Sequence, residues 1–221
     1  TNVDNISNFS LNLFDRIPTD DDFLMLYIGK GSVKAHRELD YKKPESFETN
    51  DELANIPDEL TSEYKMISDS PITIDLKKNS AVGIYGKKEK NKVLFKNILI
   101  DVISRHYFGD VKLFLLLDEV QEYSWVKRIP HIYASNGMRN IVFDSESRNN
   151  VFEYLYKELT IRRSMKSCAG LPYLVILVMN EWGIKTHPVS QFIEDAKSIR
   201  VSFVFWGETR EEIPLYCGSI I

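Results

Sequence analysis

Two stretches of the chain, Leu113–Leu117 and Leu174–Val178, are apolar at every position. A strand with one wet face alternates apolar and polar residues. A strand that is apolar throughout is buried on both faces and belongs to a parallel sheet covered by helices. The longest such run, Tyr173–Met179, has the length of a strand and falls far short of a membrane span. Around these two stretches, strand-like and helix-like patterns alternate from Pro71 onward. Strands are predicted at Ile72–Asp75, Ala81–Tyr85, Val111–Leu117, Asn140–Phe143, Tyr173–Met179 and Val201–Trp206. Helices are predicted at Lys88–Tyr107, Glu119–Lys127, Glu146–Met165 and Val189–Ser198. In the first helix Phe95, Ile98, Leu99, Val102, Ile103 and His106 repeat at the spacing of a wide stripe lying on a sheet. The alternation predicts an α/β domain with a mainly parallel sheet flanked by helices.

The residues before Pro71 are less regular. Phe23–Gly29 reads as a strand stopped by glycine, with a second short strand around Ser32–Arg37. Acidic residues and prolines make Lys42–Pro57 a surface excursion. Pro57-Asp58 then supplies a helix start, and Leu60, Tyr64 and Ile67 fall at helical spacing over Asp58–Ser68. The expected organisation is an N-terminal extension over 1–70 packing on a core over 71–221, as one compact unit. The ending Gly218-Ser219-Ile220-Ile221 reads as a strand cut in progress, so the expectation is a piece excised from a longer protein. No signal peptide is expected, because Asp4, Asp15 and Asp20 interrupt the N-terminus.

The net charge of −4, with lysines and arginines spread among acids, argues against nucleic acid as a partner. Cys168 and Cys217 form neither a disulfide framework nor a metal spacing, which suits a reducing compartment.

The stretch Ala81–Val93 carries the most chemistry. A strand runs into a polar segment and a long helix, the context in which phosphates sit on backbone N–H groups at a helix N-terminus. Against the pattern G-x-x-x-x-G-K-[ST] the chain offers Gly86, then Lys87-Lys88-Glu89-Lys90, then Asn91, Lys92 and Val93. The first glycine and the lysine are present. Asn91 stands where a second glycine would let the backbone curl around a phosphate, and its side chain crowds that space. Val93 stands where a hydroxyl would hold magnesium. The plainer reading is that Lys87, Lys88, Lys90 and Lys92 form a solvated basic loop.

A magnesium-holding carboxylate is sought at the end of another buried strand. Tyr173–Met179 is followed by Asn180-Glu181, where a working nucleotidase would carry Asp-Glu. An amide is a much poorer magnesium partner than a carboxylate. Both departures, Val93 and Asn180, fall on the metal, which is what an ATPase fold retired from catalysis would show. Asp118-Glu119, after Val111–Leu117, is a rival pair that reads better as a helix N-cap with a first-turn acid.

Longer segments resemble a known family. Phe14–Leu24 followed by Ile28–Gly31, then Pro71–Leu76, Val82–Gly86, Asp110–Leu113 and Trp125–His131, resemble in order and spacing the segment after the membrane helices of EssC/YukB/EccC-type coupling proteins of type VII secretion. The resemblance implies a RecA-like, P-loop NTPase-like fold and a place between the transmembrane helices and the first FtsK/SpoIIIE-type ATPase domain. It implies a soluble domain on the cytoplasmic side of the membrane in a membrane-attached protein, with neighbouring ATPase domains and other membrane components of the machine as partners. WXG100-type export substrates and hexamer formation are implied for the parent protein in the same way. Thr209 and Arg210 lie where FtsK-like motors keep a sensor, although a surface turn accounts for them as well.

Three functions follow as expectations. The first is a regulatory or scaffolding pseudo-ATPase that needs no cofactor, or takes ATP without tightly bound magnesium, through Gly86, Lys87, Lys88, Asn91, Lys92, Val93, Asn180 and Glu181. The second is a working ATPase in which Lys92 and Glu181 suffice, Glu181 being the catalytic residue. The third is a protein-interaction module that never meets a nucleotide. For the interaction readings Trp125, Trp182, Tyr123 and Tyr133 are the expected contact aromatics. No metal site is expected.

Overall fold

The computed structural model describes residues 4, 7–8, 10, 13–37, 55–118 and 120–221. The expected excursion over Lys42–Pro57 therefore lies largely outside the described residues. The chain divides into two compact units, one formed by Thr1–Leu26 with Asp75–Ile221 and the other by Tyr27–Ile74.

In the smaller unit, β1 (Met25–Lys34) and β2 (Met66–Asp75) pair as a two-stranded sheet, and α1 (Ile56–Glu63) precedes β2. Pro57 sits in the first turn of α1 with Asp58 and Glu59, which suit the positive end of a helix. Two expectations are corrected here. Ser32 continues β1 and does not open a second strand, and the expected helix to Ser68 stops at Glu63. Ile67 keeps helical spacing with Tyr64 only by coincidence, because Met66 already starts β2. No residue of α1 is buried, so no core contact extends it. Lys30 pairs with Asp69 at 2.8 Å across the small sheet.

The larger unit is built on six parallel strands: β3 (Ala81–Tyr85), β4 (Val111–Leu116), β5 (Ile141–Val142), β6 (Tyr173–Val178), β7 (Val201–Gly207) and β8 (Ser219–Ile220). Their order across the sheet is β5-β4-β6-β7-β3-β8. The expected fold class, a mainly parallel sheet flanked by helices, is the observed one. Every residue of β6 and β7 is buried, as runs without alternation require.

Two helices cover the sheet: α2 (Lys88–Arg105) and α3 (Ser145–Ser164). Phe152, Leu155 and Leu159 of α3 share one buried cluster with Phe114 of β4, Ile176 of β6, and Phe203 and Phe205 of β7. Phe95 of α2 packs edge-on against Trp206, whose strand neighbour Phe205 belongs to the α3 cluster. Successive strand residues point to opposite faces, so the two helices lie on opposite sides of the sheet. Asp144 caps α3 in a reciprocal box with Ser147, whose N–H donates to the Asp144 carboxylate at 2.7 Å.

Two of the expected helices are shorter and tighter. The segment after β4 is a kinked 3-10 stretch, Val120–Arg128, bent at Tyr123. Val189–Ser198 resolves into two 3-10 turns, Pro188–Phe192 and Ala196–Ile199. The apolar residues of these turns, Val189, Phe192, Ala196 and Ile199, nevertheless join the buried cluster on the α3 side of the sheet. Gly83 in β3 is required by close approach: a Cβ there would collide with Cγ2 of Ile213.

Candidate functional site

In an open parallel sheet, ligands collect outside the carboxyl ends of the strands. Here β3, β4, β6 and β7 deliver Gly86, Asp118, Met179 with Asn180, and Gly207 to the same edge. A cleft of about 200 Å³ opens there between Lys88, Asn91 and Lys92 of α2 on one side and Asp118, Glu208 and Glu212 on the other, with Trp206 also lining it. Pockets that enclose drug-sized or cofactor-sized ligands run to roughly 300–1,000 Å³. The cleft is therefore small, and its wall carries two lysines against three carboxylates.

The loop that should cradle phosphate is nearly absent. β3 ends at Tyr85 and α2 starts at Lys88, so only Gly86 and Lys87 connect them. The Tyr85 N–H donates to Ile221 O and the Gly86 N–H to Gly207 O at 3.1 Å, which commits both to the sheet. The positions after Lys87 in the G-x-x-x-x-G-K pattern are helical, and Asn91 already donates its N–H to Lys87 O as a helix residue. The long helix comes early because β3 hands over to it directly, with no glycine at 91 to prolong the loop.

Asn91 fills the space between the strand ends. Its side chain is buried, and Nδ2 donates to Gly86 O at 3.0 Å and to Gly207 O at 2.7 Å. The carboxamide thus bridges the ends of β3 and β7, its N–H donors satisfying both carbonyls. Lys92 lines the cleft with its ammonium paired to Glu122 Oε1 at 2.9 Å, from the 3-10 segment after β4. Val93 is exposed on α2 and does not line the cleft, and Lys87 at the N-cap is exposed as well.

Asn180 and Asp118 form a second closed arrangement. Asn180 Nδ2 donates to Asp118 Oδ1 at 2.6 Å, and Asn180 Oδ1 accepts from the Trp182 N–H at 3.1 Å. Trp182 adopts a φ of 45° and donates its indole N–H to Leu117 O at 2.8 Å. Asp118 accepts from an amide across the strand ends. Glu181 is exposed, pairs with Lys185, and lies outside the cleft lining. The structure thus brings Lys88, Asn91 and Lys92 to one cleft with Asp118, and leaves Val93 and Glu181 outside it.

Several groups here were not singled out by sequence. Glu122, which holds Lys92, lies on a kinked 3-10 segment where a helix was expected, and helical spacing there gave no sign of a contact with Lys92. Glu208 and Glu212 follow β7; the Glu208 N–H donates to Glu212 Oε2 at 2.8 Å, closing that turn. Their place after a buried strand was the available clue. Thr209 and Arg210 belong to the same turn, with Arg210 Nη1 donating to Ile213 O at 3.4 Å. Among the expected contact aromatics, Tyr123 is instead core: it is 3% exposed and packs edge-on against Phe95. Trp125 is 38% exposed. Tyr133 is half-buried, and its hydroxyl donates to Lys127 O at 3.0 Å. Cys217 is buried, and burial pushes its thiol up to about 11, so it is not a nucleophile at neutral pH. Among the described residues no cluster of His, Cys, Asp and Glu could hold a metal ion.

The six-stranded parallel sheet with a strand-to-helix junction at its carboxyl edge defines a layered α/β fold, and solved structures share it. No family model matches the sequence, and no curated protein matches it. The cytoplasmic domain of the Thermomonospora curvata type VII secretion ATPase EccC is similar in fold, with a TM-score of 0.56 at 12% identity over 69% of this chain and 21% of that one. ATPases 2 and 3 of EssC from Geobacillus thermodenitrificans give 0.56 at 10% identity over 93% of this chain and 37% of that one. ATPases 2 and 3 of Thermomonospora curvata EccC, solved with a signal sequence peptide, give 0.51 at 12% identity over 89% and 32%. At such identities the likeness is one of fold. The chain spans between about a fifth and just over a third of these structures. No helix among the described residues is long and apolar enough to cross a membrane.

Proposed function

We propose that this chain is a non-catalytic ATPase-like domain of a type VII secretion motor, retained for structure and regulation. In this reading it stands on the cytoplasmic side of the membrane in a larger membrane-attached protein. It scaffolds or restrains neighbouring FtsK/SpoIIIE-type ATPase domains during export of WXG100-type proteins, in a parent that assembles as a hexamer. The fold shared with EccC and EssC supports the class of protein.

The observation that carries the loss of catalysis is Asn91. Its carboxamide ties Gly86 O to Gly207 O at the strand ends, after a connection of only two residues that leaves no loop to wrap a phosphate. The lysine that would meet the phosphates is engaged by Glu122, and the cleft wall is richer in carboxylates than in lysines. A magnesium-free triphosphate is repelled by such a wall, and nothing in the cleft supplies the developing negative charge with the donors that phosphoryl transfer needs. These features weigh against the working ATPase built on Lys92 and Glu181, since Glu181 pairs with Lys185 outside the cleft. The interaction module without nucleotide remains the neighbouring alternative.

Calorimetric titration of ATP, with magnesium and with EDTA, on wild type and Lys92→Ala tests the reading. The expected result is heat that is weak or absent and unaffected by magnesium. Magnesium-dependent binding with phosphate release, abolished by Lys92→Ala or Glu181→Gln, would overturn it.

A further inference from the structure

The outermost strand β5 has β4 on one side and no strand on the other. Leu115 N–H donates to Asn140 O and Leu117 N–H to Val142 O, so Asn140 and Val142 turn their backbone groups toward β4. Backbone groups alternate in direction along a strand, so those of Arg139 and Ile141 point away from the sheet. Among the described residues, no hydrogen bond uses the N–H or C=O of either. The free edge ends at Phe143, whose N–H donates to Ser147 Oγ at 3.1 Å. Such an edge is a template for another strand.

An open groove of about 400 Å³ runs along it. Arg139 and Ile141 line this groove and the β4-facing Asn140 and Val142 do not. Its walls come from both faces of the sheet. Met138 packs with Val142 against the core cluster under α3, and Asn150 of α3 lines the groove on that side. The Ile141 side chain alternates with Val142 and is buried on the opposite face, so Ile141 meets the groove with its backbone. On that opposite face Phe143 and Tyr133 complete the lining. A groove that straddles a sheet edge suits one extended chain, whose alternate side chains fall on the two faces.

Charge selects the chain. The Lys127 ammonium lies 5.7 Å from the centre of the Phe143 ring, and the Arg139 guanidinium 5.8 Å from that of Tyr133. Among the described residues neither cation has an ion-pair partner. Asp144, the carboxylate next in sequence to Phe143, is committed to capping α3. The side of the groove away from α3 therefore calls for carboxylates, and the Met138 side for apolar groups. A second copy of this chain pairing through the same edge would set these cations against their own kind.

We propose that the free edge of β5 takes up an acidic, extended peptide segment of a protein partner as an added strand. The peptide backbone bonds to the N–H and C=O of Arg139 and Ile141. Its acidic side chains lie toward Arg139 and Lys127, and its alternate apolar ones toward Met138. The site does not depend on the reading of the cleft, because the two share no residue.

Chemical-shift mapping on the full chain tests this with an acetylated and amidated peptide of alternating glutamate and valine. One control carries lysine for glutamate, and another is N-methylated throughout, so that it cannot donate to a sheet edge. The acidic peptide is expected to shift the amides of Arg139 and Ile141 and to bind about tenfold more tightly than either control. In Arg139→Glu the preference for glutamate over lysine should disappear. Silent amides at Arg139 and Ile141, equal binding of the acidic and basic peptides, or undiminished binding after N-methylation would overturn the proposal. Dimerisation of the chain through this edge without peptide would do the same. Should Arg139→Glu fail to fold, the three-peptide comparison on the native chain decides by itself.

Discussion

Restoring aspartate at position 180 should damage the protein without reviving any nucleotide chemistry. In Asn180→Asp the side chain loses the Nδ2 donor that now reaches Asp118 Oδ1 at 2.6 Å, and two carboxylates face each other at that distance. Two like charges so placed repel by about 1.6 kcal/mol in bulk water and more in a lower dielectric. Asp118 is exposed and Asn180 half-buried, so the value near bulk water applies, to which the lost hydrogen bond adds about 1 kcal/mol. The expected destabilisation is therefore about 2–3 kcal/mol at neutral pH. The repulsion raises the folded-state pKa of the carboxylate pair above its unfolded value. The folded state then holds a proton more tightly than the unfolded one, so the penalty is complete above the raised folded pKa. It shrinks as pH falls through that pKa and is absent below the unfolded one, near pH 4. Urea unfolding of wild type and variant at pH 7.5 and pH 4.5 measures this directly. Combining Asn180→Asp with Asp118→Asn returns one donor and one acceptor with roles exchanged and should recover most of the loss. A deficit of the same size at both pH values, or one that Asp118→Asn leaves untouched, would refute the reasoning.

Asn91→Ala removes both bonds to the strand ends and leaves Gly86 O and Gly207 O unmet, so it should cost about 1–3 kcal/mol in urea unfolding while yielding no magnesium-dependent phosphate release. Lys92→Met breaks a partly shielded ion pair with Glu122 and should cost only about 1 kcal/mol by the same assay, far below what loss of a working phosphate lysine does to an active motor. Acid should unfold the larger unit through its buried histidines. His106 accepts from the Leu24 N–H at 3.0 Å on Nε2, and burial depresses both it and His131 to about 4. Their contribution is fully present above the unfolded value near 6.5 and is lost as pH falls through about 4, so circular dichroism should show stability declining across that window. His106→Gln should flatten that decline.

The layered α/β fold was legible because burial on both faces leaves a direct mark: no polar residue interrupts Leu113–Leu117 or Leu174–Val178, and only parallel strands under helices need that. The wide stripe on α2 was equally plain. What escaped was set by geometry across the fold. Ile67 keeps helical spacing with Leu60 and Tyr64, yet β pairing claims it. The turns between Pro188 and Ile199 carry apolar residues suited to a helix, yet they bury them from two short 3-10 turns. At the cleft, the positions of Asn91 and Lys92 on α2 followed from the helix pattern, while their partners did not. Gly207 and Glu122 come from two separate segments, and no spacing within one segment announces a hydrogen bond to another.

The two-residue connection between β3 and α2 also has a mechanical consequence. A phosphate-sensing loop signals by rearranging several soft dihedrals when its ligand arrives or leaves. Gly86 and Lys87 offer four such angles between a buried strand and an eighteen-residue helix, and Asn91 pins the junction to Gly207. Strand and helix must then move as one piece. A neighbour pushing on α2 would displace the whole sheet, so the domain passes force on as a strut does, without the give of a hinge.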